Sequence, residues 1–241
     1  MDQNYSKKVA VLAYHKIGEP SIKGWHTWNY VPDKVFEKQL QYLKDDAWQV
    51  IDEKQFLDGL DQPETLPHKA ALITFDDGYR SNLEVAVPIL KRFSYPAIVF
   101  VPTAFIGGYN AFDAEISFEP KESICTWNEL RALERNKVSV QSHGVNHFHF
   151  SELSLKQLLE EIQQSKKILE ENLDKPINLF SFPYGDNKKD SIEVEKVLSE
   201  QGFKAAFLYG GPSVKFPLSS PFNLSRIPVG PDTDFRIVLN L

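Results

Sequence analysis

The chain alternates short, mostly apolar runs with stretches whose apolar residues recur at helical spacing, and this alternation constrains the fold more than any other feature. Continuous apolar runs of this length are strands buried on both faces, as in parallel sheets covered by helices. Val9–Tyr14, Ala70–Phe75, Ala97–Val101, Val138–Ser142 and Leu179–Phe182 are the clearest, with shorter runs at Trp48–Ile51, Ala205–Leu208 and Leu224–Ile227. Between them the spacing predicts helices. One opens at Pro32-Asp33 with Phe36, Leu40 and Leu43 on one face, and another covers Glu53 to Leu60. A third passes through Leu83, Val87 and Leu90, where Pro88 predicts a kink or a late start. Thr126/Glu129 and Ser154/Gln157 read as capping boxes, for a helix to about Asn136 and for the longest helix, to about Leu173. A further helix covers Ile192 to Leu198. The pattern predicts an α/β fold of seven or eight βα units in one domain, residues 1–241, a length that suits one barrel or one large sheet.

Composition narrows the partners. A net charge of −6, a pI near 5.6 and the lack of a basic stripe exclude nucleic acid as an expected partner. Met1–Ser6 is polar and leads straight into a strand, so no signal region and no membrane span are expected. The chain is then either cytosolic or has lost an export segment. The single cysteine, Cys125, permits no intrachain disulfide and reads as a small buried residue beside the helix cap Thr126.

The polar residues that matter follow strand ends. Asp76-Asp77, His143, Pro183-Tyr184 and His15 each come directly after an apolar run. In a parallel barrel these ends gather at one mouth, where active sites form. His143 and His147 offer two imidazoles four residues apart, and Asp77 would complete a two-His, one-Asp set with an open position. Such a set describes a catalytic zinc site and also suits Fe, Co, Ni or Mn. His149 is an alternative ligand. Adjacent strand residues point to opposite faces, so Asp76 and Asp77 share a site only if the strand has already ended; Gly78 makes such a turn plausible. Residues 102–124, with Gly107-Gly108, form a long irregular loop of the kind that is usually functional or mobile.

Three motifs, Thr74-Phe75-Asp76-Asp77-Gly78, Ser142-His143-Gly144-Val145-Asn146-His147 and Phe182-Pro183-Tyr184-Gly185, together resemble the leading motifs of the polysaccharide deacetylases, the NodB-homology domain of carbohydrate esterase family 4. The resemblance covers about residues 7–230. It implies a distorted (β/α)7 TIM-like barrel and a metal-dependent hydrolase that removes N-acetyl groups from an N-acetylglucosamine-containing polysaccharide or oligosaccharide. Asp76 would be the general base, Asp77, His143 and His147 the metal ligands, and the Tyr184 backbone N–H an oxyanion donor. The residue chemistry is consistent: a metal lowers the pKa of water and polarises a carbonyl, and a carboxylate left off the metal can take the proton. The resemblance also implies a location in the cell envelope or outside the cell. An O-acetyl esterase of the acetyl-xylan type and an inactive carbohydrate-binding relative are the alternatives.

The sequence departs from the family pattern in two places. Ser181 stands where many members carry an arginine that orients the base, which leaves Arg226 and Arg80 as candidate replacements. No histidine follows His149, so the late histidine that supplies the general acid is missing. Ala13-Tyr14-His15-Lys16-Ile17 resembles the early motif of the branch that includes poly-β-1,6-N-acetylglucosamine deacetylases, which implies His15 as general acid. Trp25, His26, Trp28 and Tyr30 form an aromatic loop suited to stacking on sugar rings, with Pro183 and Tyr184 as further substrate contacts. Trp127 either reaches the same groove or packs in the core.

Overall fold

Alternate residues of the long strands enter two different cores, and this period of two sets the architecture. The computed structural model describes residues 7–22, 27–114, 119–187 and 191–239. Its strands are β1 Lys7–Tyr14, β2 Lys16–Ile17, β3 Tyr30–Val31, β4 Gln49–Val50, β5 Ala70–Phe75, β6 Ala97–Val101, β7 Val138–Ser142, β8 Leu179–Ser181, β9 Ala205–Phe207, β10 Val214–Phe216 and β11 Ile227–Pro228. Its helices are α1 Asp33–Asp45, α2 Glu53–Asp61, α3 Val87–Phe93, α4 Ala111–Ala114, α5 Trp127–Arg135, α6 Leu155–Leu173, α7 Ser191–Glu200 and α8 Phe235–Val238. Ala10, Leu12, Ala71 and Ile73 pack outward against Phe36, Leu40, Leu130 and Leu158 of the helices. Val9, Val11, Leu72, Ile98 and Phe100 face the other way, into a lumen filled by Phe56, Phe207 and Phe216.

The parallel strands run in the order β1-β5-β6-β7-β8-β9. The ring closes through the segment leading into β11: Leu224 bridges Phe207 of β9, and Ile227 pairs with Leu12 of β1. Counting β11, this is the distorted (β/α)7 barrel. Its distortion has a simple form. β1 and β5 each change partner along their length: β10 and β4 flank their first halves, β11 and β6 their second halves. The C-terminal rim is therefore a closed ring, while the opposite end is splayed and plugged by added strands.

Most element boundaries agree with the sequence reading, and both expected capping boxes form, with a third at Asp52/Gln55. The last strand is shorter than the apolar run Leu224–Ile227 suggests: only Ile227–Pro228 pairs as a strand, with Leu224 in a single bridge. Pro88 delays its helix as expected, behind a π-helical turn at Asn82–Ala86. Proline has no N–H to give, and a widened turn accommodates its ring. Among the described residues no helix is long and apolar enough to cross a membrane.

Candidate active site

At the closed rim, three loops each place a non-glycine residue in the left-handed backbone region: Asp77 (φ 71°), His147 (φ 55°) and Tyr184 (φ 57°). Such residues cost on the order of 1 kcal/mol each and persist where the surroundings fix them. At the first loop this conformation answers the pleat problem. Asp76 still pairs as a strand residue, its N–H donating to the Tyr14 carbonyl at 2.9 Å. The chain then turns at Asp77 itself as well as at Gly78 (φ 69°), bringing the second carboxylate back toward the same end. A Cβ at Gly78 would lie 3.0 Å from both Val101 methyl carbons, so the turn is also close-packed.

Asp77, His143 and His147 converge as expected. One ligand atom from each lies within 4.8 Å of the others, and all three residues are buried. Asp77 Oδ1 is 3.5 Å from His143 Nε2 and 3.1 Å from His147 Nε2. That oxygen is buried and has no hydrogen-bond partner among the described residues. A buried oxygen unpaired in this way and facing two imidazole nitrogens is what a divalent cation satisfies, so the donor set fits a metal. Burial pushes the Asp77 carboxyl up, but the two imidazoles outweigh it and hold it well below the usual carboxylate range. His143 Nδ1 lies 2.7 Å from the Ser181 carbonyl, which leaves Nε2 for the site.

Asp76 belongs to a different network in the same cavity. Arg226 grips both its oxygens, at 2.7 Å and 2.6 Å. The guanidinium is fully buried and also donates to the Leu208 carbonyl, Thr74 Oγ1 and Ser181 Oγ. Ser181, which stands where many family members carry an arginine, thus accepts a hydrogen bond from Arg226 at 2.8 Å. Burial raises the Asp76 carboxyl; Arg226 and His143 more than offset this and keep it below its ordinary value. Arg80, the other candidate, pairs instead with Glu129 at 3.0 Å and is more than a third exposed. It does not line the cavity that holds Asp76.

The cavity has a volume of about 260 Å³, and its walls include His15, Trp28, Asp76, Asp77, Tyr184 and Tyr209. His15 reaches it as expected, its ring edge-on to Tyr209 at 5.5 Å. Burial lowers the pKa of His15, against the opposing pull of Asp77 and Asp76. Trp28 is 47% exposed and donates to the Tyr209 hydroxyl at 3.2 Å. The Tyr184 ring, also largely exposed, lies edge-on to His147 at 4.6 Å. Its own backbone N–H has no backbone acceptor among the described residues, whereas those of Gly185 and Asp186 bond to Phe182 and Pro183.

Several expected contacts fall elsewhere. Tyr30 is buried away from the cavity, with its hydroxyl on Glu122 at 2.6 Å and its ring under the Lys16 ammonium. Its place on β3, paired with β2, turns it from the mouth. Pro183 is buried as the first residue of the turn and does not line the cavity. His149 stacks on Tyr184 at 3.8 Å and pairs with Asp186, outside the ligand cluster. Trp127 packs on the core. Trp25 and His26 lie outside the described residues.

Asn29, Tyr209 and Asp113 also line the cavity and were not read from the sequence. Tyr209 follows the strand run Ala205–Leu208, so the rule that found Asp76 also points to it. Asp113 sits on the short α4 inside the long loop, its carboxylate accepting from the Tyr79 hydroxyl at 3.2 Å. Burial and the neighbouring Asp77 push its pKa up to about 6.

A family model described as polysaccharide deacetylase matches residues 64–208, which include Asp76, Asp77, His143, His147 and Tyr184. The chain is 26% identical over 186 residues to the protein YxkH of Bacillus subtilis (strain 168), covering 77% of this chain and 60% of that protein. It is 27% identical over 215 residues to poly-beta-1,6-N-acetyl-D-glucosamine N-deacetylase of Staphylococcus aureus (strain MSSA476), covering 85% and 69%. The solved structure of IcaB from Ammonifex degensii matches with a TM-score of 0.78 at 25% identity, covering 94% and 93%. The chain thus spans about 60% of the length of the first of these curated relatives. His15 and Arg226 lie outside the matched segment, and with the motif residues inside it this chain belongs to the polysaccharide deacetylase family.

Proposed function

We propose that the protein hydrolyses N-acetyl groups on an N-acetylglucosamine-containing polysaccharide or oligosaccharide, releasing acetate and leaving a free amine. The observation that carries this reading is the pairing of two systems in one cavity: a buried Asp77-His143-His147 set that fits a divalent cation, and a separate carboxylate, Asp76, fixed by Arg226. The named activity of the Staphylococcus aureus relative supplies the substrate class. Closure of the sheet by residues near the C-terminus supports reading the chain as one domain.

Asp77, His143 and His147 would hold the ion, with zinc the favoured choice and Fe, Co, Ni or Mn also suited to the donors. When bound, such an ion supplies Lewis acidity, lowering the pKa of water and polarising a carbonyl. Asp76 accepts the proton of the attacking water at a carboxylate oxygen, and Arg226 keeps it ionised and oriented for this. The Tyr184 N–H, free of a backbone acceptor, is available to the developing oxyanion. His15 carries a proton to the departing nitrogen. Burial lowers its pKa and so makes the protonated ring a stronger acid, and the proton that Asp76 takes from the water restores His15 after each turnover. Trp28, Tyr184 and Tyr209 offer rigid aromatic faces to the sugar. Because Arg226 and His15 stand in for the missing motif residues, the case for an inactive carbohydrate-binding relative loses its motive.

The test is acetate release from β-1,6- and β-1,4-linked N-acetylglucosamine oligomers, measured with chelator and with each candidate ion. At least one ion should restore release that the chelator abolishes. Asp76→Asn should keep stoichiometric metal and lower kcat by about 10²–10⁴-fold. No release from any substrate with any ion, or release indifferent to chelator, refutes the reading. An acetyl ester run in parallel separates the esterase alternative: His15→Ala should impair amide cleavage far more than ester cleavage, because an amine leaving group needs the proton more.

A further inference from the structure

We propose that Glu161 is a positioning residue for the cation site: it fixes the loop that carries both histidines and so aims His147, whose ring lacks the hydrogen bond that aims His143. The inference rests on reading Asp77, His143 and His147 as cation ligands.

The two imidazoles are held in different ways. His143 Nδ1 is fixed by the Ser181 carbonyl at 2.7 Å, the usual arrangement for a metal-binding histidine. His147 Nδ1 is buried and has no hydrogen-bond partner among the described residues. Apart from Asp77, which faces Nε2 at 3.1 Å, its ring is held by packing, stacked on Phe112 at 4.1 Å and edge-on to Tyr184 at 4.6 Å. Its direction therefore depends on its backbone, which is in the left-handed region.

Glu161 holds that backbone. It lies on α6 and is only 5% exposed. One carboxylate oxygen accepts the N–H groups of Val145 and Asn146 at 2.7 Å and 2.9 Å, and the other accepts the Asn146 side-chain amide at 2.6 Å. All three donors belong to the segment between the two histidines. On its opposite side the loop is held by the N–H groups of Thr103 and Ala104, bonded to the Gly144 and Val145 carbonyls at 3.1 Å and 3.0 Å. A Cβ at Gly144 would lie 3.1 Å from Glu161 Oε2, so the loop passes as close to the carboxylate as a glycine allows. Among the described residues no lysine or arginine pairs with Glu161. A buried carboxylate without a counter-ion is costly unless hydrogen bonds and nearby positive charge compensate it. The loop N–H groups provide the first, and a cation between His143 and His147 provides the second. Glu161 thus links helix α6 to the metal through the loop.

The experiment measures divalent-ion affinity, independent of turnover, in the full chain and in Glu161→Gln and Glu161→Ala. Zn(II) and Co(II) dissociation constants come from competition with a chromophoric chelator, and the visible spectrum of the Co(II) form reports ligand geometry. Thermal melts of the metal-free proteins control for folding, and the near-isosteric glutamine variant carries the test if the alanine variant unfolds. Glu161→Ala should bind about 10–100-fold more weakly with an altered Co(II) spectrum, and Glu161→Gln should fall between it and wild type. Variants that melt lower without metal yet bind with the wild-type dissociation constant and spectrum overturn the proposal. A wild-type chain that binds no divalent ion overturns the cation reading itself, and the two failures are distinguishable.

Discussion

Replacing Arg226 with methionine removes the counter-ion of Asp76 while filling a similar apolar volume. The guanidinium is fully buried and bonds to both Asp76 oxygens, the Leu208 carbonyl, Thr74 Oγ1 and Ser181 Oγ. Taking one partner from a buried pair typically costs about 3–5 kcal/mol, because the other charge is left uncompensated. For a chain of this size 1 kcal/mol shifts Tm by about 2–4 °C, so the melt should fall by roughly 6–20 °C. The loss should also depend on pH in a definite direction. In the native protein the Asp76 carboxyl is held below its ordinary value, so its contribution is present above the unfolded pKa and lost as pH falls through the folded pKa. Without Arg226 burial dominates and the folded pKa rises. The carboxyl then favours folding only while protonated, and stability falls as pH rises toward neutral. The gap between wild type and variant should therefore be widest near pH 7 and narrow toward pH 3. Urea denaturation in chelator, across that range, measures it. The double variant Asp76→Asn/Arg226→Met should recover most of the loss, since neither charge remains. A loss below about 1 kcal/mol, or one independent of pH, would refute the account of a buried, mutually dependent pair.

Asp77→Ala, His143→Ala and His147→Ala should each abolish tight divalent-ion binding and acetate release together, and titration calorimetry showing tight stoichiometric binding in any of them refutes the three-ligand set. Burial, with Glu129 beside it, pushes the Cys125 thiol up to about 12, so it should resist Ellman's reagent at pH 8 until the chain is denatured; rapid labelling of the folded protein contradicts this. A Cβ at Gly230 would come within 2.6 Å of the Trp28 ring, so Gly230→Ala should displace the ring and raise KM several-fold with a smaller change in kcat. An unchanged KM would remove Trp28 from the substrate surface.

The strands and the convergence of Asp77, His143 and His147 were legible because their signals are local. A strand buried on both faces reads as an apolar run, and the residue after it sits at the rim wherever the run falls. The same logic pointed to His15 and Tyr184, and both line the cavity. It could not choose between Arg80 and Arg226, because what separates them is pairing across 150 residues, set by closure of the ring. It misplaced Tyr30 and Pro183 because proximity in sequence to a rim loop does not say which way a side chain turns. Glu161 was not readable: helical periodicity counts a charged residue beside Leu158 and Ile162 as edge, yet it is buried against a loop from another strand.

The closing segment does more than complete a sheet. The residue that orients Asp76 stands one position before the pairing of Ile227 with Leu12. During synthesis the proposed ligands Asp77, His143 and His147 all emerge before Arg226 does, so a nascent chain could acquire an ion before its proposed base is aligned. Any nick or deletion that undocks residues 224–228 should then yield a metalated but silent protein, and turnover becomes a direct report on whether the final strand has docked.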